Sequence, residues 1–144
     1  MVRMVGSQDA LDVSQQVFLQ LFRKLDRFAG RSRFRTWLHR LAINEALQYL
    51  RKERRWSFGE LTRDPQQVEG RRIAERMERS ELLQMALGQL EPDLRAIFLL
   101  RELEDHSYRE LAEILGVPEG TVGSRLNRAR SELKQILDRL GWEA

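Results

Sequence analysis

Thr121, Ser124, Arg125 and Arg128 recur at three- and four-residue steps in TVGSRLNRAR, a stretch with no acid between Thr121 and Arg130. On a helix that spacing puts all four on one face. A guanidinium there can donate a bidentate pair to guanine or clamp a phosphate, and a hydroxyl can do either more weakly. The helix N-terminus at Pro118 to Gly120 offers free amides to a further phosphate. This is the chemistry of nucleic-acid reading. Groups suited to catalysis or metal binding are scarce. The chain has no cysteine, and its two histidines, His39 and His106, lie far apart in sequence. Disulfides, thiolate sites and thiol nucleophiles are thereby excluded, and no metal site is expected. With no phosphate loop and no acid–base cluster at ligand spacing, the expectation is a protein that is not an enzyme and needs no cofactor. Single carboxylates such as Glu45 and Asp105 read as solvated surface.

The segment that must hold this face has the signals of a helix-turn-helix. Ser107 followed by Glu110 forms a capping box, in which the hydroxyl accepts from a first-turn amide and the carboxylate reaches back to the cap amide. Leu111, Ala112, Ile114 and Leu115 give the short helix a packing face. Gly116 is placed to take the left-handed conformation that ends it, Val117 plugs the corner, and Pro118 can begin the next helix with its fixed φ. Ala112, Gly116 and Val122 supply a small residue at a crossing, a turn glycine and an apolar anchor. On the second helix Val122, Leu126, Ala129 and Leu133 face inward.

Upstream, apolar residues from Val13 to Phe28 keep a helical period, predicting an amphipathic helix over about 9–27. Gly30 breaks it, and Ser32 is placed to cap a second helix that carries Phe34, Trp37, Leu38, Leu41, Ala42, Ala46, Tyr49 and Leu50 to about Arg54. Trp37 and Tyr49 sit on its apolar stripe, where aromatic side chains are core first. Periodicity fades through Gly59, Asp64, Pro65 and Gly70, which read as a linker over 57–70 between a domain at 1–56 and another at 71–144. Within the second domain the helical period resumes at Arg71 and stops near Gly88, and Pro92 opens a further helix that ends before His106. No segment alternates as a strand does, so the fold class is all-α, two small helical domains.

Charge is distributed unevenly along the chain. Residues 1–56 hold 12 basic against 5 acidic side chains, 57–116 hold 8 against 13, and 117–144 hold 5 against 4. Two basic ends around an acidic middle suit a protein that meets polyanion at two places. The apolar runs fall far short of the ~20 residues of a membrane-spanning helix, and the lack of cysteine points to the cytoplasm.

The segment SYRELAEILGVPEGTVGSRLNRARSEL, preceded by LEPDLRAIFLLREL, resembles the minus-35-binding domain of the extracytoplasmic-function (ECF) sigma factors of bacterial RNA polymerase. DALDVSQQVFLQLFRKLDRFAGRSRFRTWLHRLAINEALQYLRK is similar to that family's other domain, which docks on the polymerase clamp and melts the minus-10 element. The resemblance implies core-polymerase contacts at Asp9, Asp12, Gln15 and Phe18. It implies minus-10 contacts at Trp37 and Asn44, with Arg33, Arg35, Arg51 and Lys52 on phosphates, and minus-35 contacts at Ser124, Arg125 and Arg128, beside Thr121. An aromatic face can stack an unstacked base, and an amide can read its edge. Core RNA polymerase, promoter DNA and an anti-sigma protein are the implied partners; no residue sets the oligomeric state.

Three departures stand out. Gly123 occupies a position where members commonly carry Lys or Arg. Leu11, Ser14 and Gln16 lie in a block usually richer in acid. Members usually have one more helix before Asp9, for which Met1 to Gln8 is too short a substitute, so Val13, Val17 and the nearby phenylalanines are expected to form an open apolar patch. The alternatives to a sigma factor are a stand-alone helix-turn-helix regulator, against which the match over 9–52 argues, and a truncated polymerase-binding decoy.

Overall fold

The computed structural model describes residues 1–57 and 79–142, and among them every regular element is helical. In chain order these are α1 (Val2–Val5), α2 (Ala10–Lys24) with a 3₁₀ turn at Leu25–Arg27, α3 (Phe34–Ser57), α4 (Arg79–Gln89), α5 (Pro92–Glu102), α6 (Tyr108–Leu115) and α7 (Glu119–Arg139). Asp12 in the first turn of α2 and Arg23 and Lys24 in its last turn complement the helix dipole. Gly30, at φ 71°, turns the chain before α3. The Arg33 carbonyl accepts the first bond of that helix from Trp37 N–H at 3.1 Å. The cap therefore falls on Arg33, one residue beyond the expected Ser32. The linker expected over 57–70 lies outside the described residues except for Ser57, as does the onset of the next helix at Arg71.

Around α6 the local signals act as expected. Ser107 Oγ accepts from Glu110 N–H at 3.1 Å, and Ser107 N–H donates to Glu110 Oε2 at 3.0 Å. Gly116 adopts φ 64° and ψ 38°, a left-handed cap open to glycine at no steric cost. Val122, Leu126 and Ala129 are fully buried. Pro118 stands at the cap itself, with α7 beginning at Glu119.

The two halves share one hydrophobic core. Met4, Val5, Ala10 and Val13 join Ile43, Ala46 and Leu47, and these continue into Leu87, Leu90, Ile97, Leu111 and Leu126. The halves meet where α3 packs on α6 and where α1 packs on α4 and α5. Helix α5, flanked by α1, α3, α6 and α7, is therefore buried nearly all round rather than along one stripe. Its Arg95 is 6% exposed. The Arg95 guanidinium donates to the carbonyls of Met4, of Gly88 at 3.1 Å and of Leu90 at 2.9 Å, tying α1 to the α4–α5 corner. Gln84 adds a 2.9 Å bond to the Val2 carbonyl. The short α1 thus covers more than its length suggests. Val13 and Val17 are buried, whereas Phe18 and Phe22 remain 59% and 76% exposed on the outer face of α2. The open patch expected there excludes the valines and takes in Phe18 and Phe22 with Leu11, Leu19 and Leu25.

Candidate nucleic-acid interface

The recognition face of α7 differs in detail from the row of four free donors that the spacing suggests. Thr121 Oγ1 donates to the Pro118 carbonyl at 2.7 Å, and Ser124 Oγ donates to the Thr121 carbonyl at 2.9 Å. Both hydroxyls are turned back onto their own helix, a habit of Ser and Thr near helix starts. Arg128 Nε lies 2.8 Å from Glu132 Oε1, an exposed pair one turn apart that raises the guanidinium's pKa. Arg125 is exposed and stands among the residues of an interdomain cleft. A Cβ added at Gly123 would meet Tyr108 Cε2 at 3.6 Å, an ordinary contact, so this position faces the start of α6.

That cleft, of about 580 Å³, is the meeting place of the two expected DNA-reading surfaces. From the N-terminal half it is lined by Lys24, Trp37, Arg40, Asn44 and Arg51, and from the C-terminal half by Asp93 and Arg125. Four cations against Glu45 and Asp93 leave it positive. Arg51 reaches Asp93 across it at 3.7 Å. Trp37 has one flank in an aromatic trio, 5.4 Å from Phe28 and 5.7 Å from Phe34 between ring centroids, while also lining the cleft. Its core and base-stacking roles are therefore compatible.

Other expected contacts lie apart. Arg35 is exposed and engaged with Glu104, through the backbone carbonyl and through Oε2 at 3.3 Å. Arg33 lies near Glu110, whose carboxyl it helps to hold low. Lys52 lines a second cleft of about 520 Å³ with Asp12, Gln15, Glu45 and Tyr49. Here two residues expected to meet polymerase stand beside one expected to meet DNA. Tyr49 donates to Glu53 Oε1 at 2.7 Å, and desolvation followed by the Glu53 and Asp9 carboxylates pushes its phenol upward. Asp9 occupies the N-cap position of α2 without a side-chain capping bond, and Phe18 projects outward on the same helix.

One cluster escaped the sequence reading. His39 on α3 and His106 before α6, 67 residues apart, place Nδ1 and Nε2 2.5 Å from each other with their rings edge to face. His106 is fully buried, and its Nδ1 lies 3.0 Å from Glu110 Oε2. His39 Nε2 lies 3.9 Å from Glu104 Oε2. Glu110 is held below the usual carboxylate range, first by the Ser107 amide and then by His106. Nothing in the spacing signals this pair, because helix packing alone brings it together. No group of three or more potential metal ligands forms among the described residues.

Two family models match the chain, sigma-70 region 2 over residues 1–56 and sigma-70, region 4 over residues 80–133. Over 97% of its length the chain is 33% identical to the ECF RNA polymerase sigma-E factor of Haemophilus influenzae, of which it covers 80%. Over 96% of its length it is 36% identical to the RNA polymerase sigma-H factor of Pseudomonas aeruginosa, of which it covers 78%. In three dimensions it resembles the sigma factor RpoE of Bartonella quintana, solved in complex with the anti-sigma factor NepR. The TM-score is 0.73 at 24% identity, over 95% of this chain and 86% of that one, a likeness of fold. The two helical halves are thus those of a sigma-70-type transcription factor. Within that class the chain belongs to the ECF RNA polymerase sigma factors, which direct promoter recognition in transcription initiation. Among the described residues no helix is long and apolar enough to cross a membrane.

Proposed function

We propose that this chain binds core RNA polymerase through the outer face of α2 and reads a promoter at two points. Asp9, Asp12, Gln15 and Phe18 form the polymerase contact, acids beside an exposed apolar ring that suits a basic partner surface with a hydrophobic socket. Trp37 and Asn44 take unpaired bases of the minus-10 element, with Arg33, Arg35, Arg51 and Lys52 on its phosphates. Arg125 and Arg128 read the minus-35 element, joined by Thr121 and Ser124 once their hydroxyls swing from the backbone. Contacts with flipped bases and phosphates offset unstacking costs of a few kcal/mol per base. Nucleotidyl transfer belongs to the polymerase. An anti-sigma protein is the natural regulator, since the solved relative is held by one.

The observation that carries this reading is the match of the two halves to sigma-70 region 2 and sigma-70 region 4; the convergence of Trp37, Asn44, Arg51 and Arg125 on one positive cleft describes the joined state. It also sets a condition. A major groove about 12 Å wide admits a single helix, itself about 10–12 Å across with side chains. With α3 across the cleft from Arg125, the joined halves leave no room for a groove between that arginine and α3. Promoter reading therefore requires the halves to separate, breaking Arg51–Asp93 and the α3–α6 packing. The test is reconstituted transcription with core polymerase on a promoter library. Arg125→Ala should lower promoter affinity by about 1–3 kcal/mol and relax preference at one minus-35 position. Promoter-specific transcription indifferent to both Arg125 and the minus-35 sequence would reject the assignment.

A further inference from the structure

The arrangement of the halves poses a physical question that the promoter-reading assignment leaves open, namely what holds them together and what releases them. Apart from apolar packing, the seam between α3 and the α5–α6 segment carries the Arg35–Glu104 and Arg51–Asp93 pairs, both exposed, and the His39–His106 pair. Exposed ion pairs contribute about 0–1 kcal/mol each and respond to salt rather than acting as switches. The histidines differ in being sheltered, with His106 wholly buried and the His39 side chain 22% exposed.

The pair can hold one hydrogen between its facing nitrogens. Glu110 Oε2 beside His106 Nδ1 accepts the hydrogen on that side, which leaves His106 Nε2 as an acceptor for His39 Nδ1–H. A further proton enters either on His39 Nε2, where burial and Arg35 resist it while the halves are joined, or on His106 Nε2, between the rings. Once both facing nitrogens carry hydrogens, two N–H groups point at each other and the bond becomes a repulsion. Among the described residues the pair belongs to no group of three or more potential metal ligands, so a cation is a poor alternative occupant.

We propose that the His39–His106 pair is a proton-operated latch on the seam between the two DNA-reading halves, closed while the rings share one hydrogen and released when both facing nitrogens are protonated. The surroundings favour release. Arg3 of α1 borders the small pocket at His39, and Arg35 lies one turn before it on α3. Arg101 donates to the His106 carbonyl at 2.8 Å, and Arg33 lies near Glu110. Among the described residues Glu104 and Glu110 oppose these cations. Burial first, then His106, holds the His39 imidazole below its ordinary value, with Arg35 acting the same way against Glu104.

The direction follows from linkage. Above about pH 6.5 the ring is neutral whether the halves are joined or apart, so the latch contributes fully. Below it, the separated state takes up a proton that the joined state resists. Closure therefore weakens as pH falls through the window beneath 6.5 toward the lowered value of the joined state. The ratio of open to closed molecules rises by at most about tenfold per pH unit for each proton taken up.

The latch rests on the promoter-reading assignment for its purpose but not for its test. Dyes on Arg23→Cys in α2 and Gln135→Cys in α7, both exposed positions in a chain without native cysteine, report the separation of the halves by energy transfer. One short distance is expected at pH 8, with a long-distance population growing below about pH 6.5 while the helical circular-dichroism signal holds. His39→Gln, which can still offer both a donor and an acceptor, should abolish the dependence. If that variant folds poorly, the native His39 imidazole resonance replaces it and should titrate in step with the distance change. A distance constant from pH 8 to pH 5, an undiminished response in His39→Gln, or a His39 titration out of step with the distance would overturn the latch. Halves that separate with acid in a chain giving no promoter-specific transcription at any pH would sink the functional assignment and leave the latch standing.

Discussion

The helix-turn-helix and the seam are built from the same kinds of side chain but hold by different means. In the helix-turn-helix each device is local. Ser107 and Glu110 are three residues apart, Gly116 ends the helix they start, and Val122 and Leu126 are one turn apart on the next. At the seam every partner is distant, with Arg3 reaching Ser80, Arg95 reaching Met4 and His39 reaching His106. Local devices persist if the halves part, whereas those at the seam are lost together. If the halves open to read DNA as proposed, the reading helix stays intact only if the two sets are separable.

The largest test of that separation is Leu126→Ala. The side chain is fully buried, and its truncation should cost about 2–5 kcal/mol in urea unfolding. If the halves can part while folded, the loss should be confined to the C-terminal half; a single transition shifting as a whole would show that they cannot separate without unfolding. Arg95→Met keeps the apolar stem but leaves the Met4, Gly88 and Leu90 carbonyls without their donor, an expected cost of about 2 kcal/mol. Amide exchange should rise in α1 with α6 and α7 still protected. Equal loss of protection in α7 would erase the contrast between seam and motif.

Ser107→Ala removes the capping hydroxyl and should cost about 1 kcal/mol, read as a fall in melting temperature. The same box separates the regions by pH. Glu110 has its carboxyl lowered from 4.5, so its contribution is complete above that value and fades as pH falls through the lowered one. The seam, by contrast, starts to weaken below about 6.5. Acid titration should therefore part the halves before it unravels α6, and a single transition near pH 4 would merge the two. The smallest effect is expected for Gly123→Arg. The added side chain meets Tyr108 at ordinary contact distance, so helix propensity should raise stability by up to about 1 kcal/mol. Promoter affinity should rise as well, and unchanged affinity would place residue 123 off the DNA face.

Much of the helix-turn-helix was legible in advance, because a capping box, a left-handed glycine and an apolar step of one turn are set by neighbours in sequence. The candidate site was legible in part. Arg125 is exposed on the face that the spacing predicts, but its place beside Trp37, Asn44 and Arg51 across a shared cleft was not legible. Periodicity gave the direction in which Thr121 and Ser124 face, but not the backbone carbonyls that their hydroxyls take. Arg128 and Glu132 are one turn apart, and their pairing was readable from spacing alone. Arg95 lay hidden because a charged side chain on an amphipathic pattern reads as surface. It is buried only because α1 returns to offer the Met4 carbonyl.

What the sequence determined by itself was an all-α chain with two basic ends, a DNA-reading motif and membership in a family. These follow from period, capping and motif, all of them short-range properties. Tertiary structure alone decided that α5 is enclosed, that Arg125 shares a cleft with Trp37, Asn44 and Arg51, and that His39 meets His106. Those facts depend on which helix faces cover one another across the fold, a matter of shape complementarity over dozens of residues that no local pattern encodes.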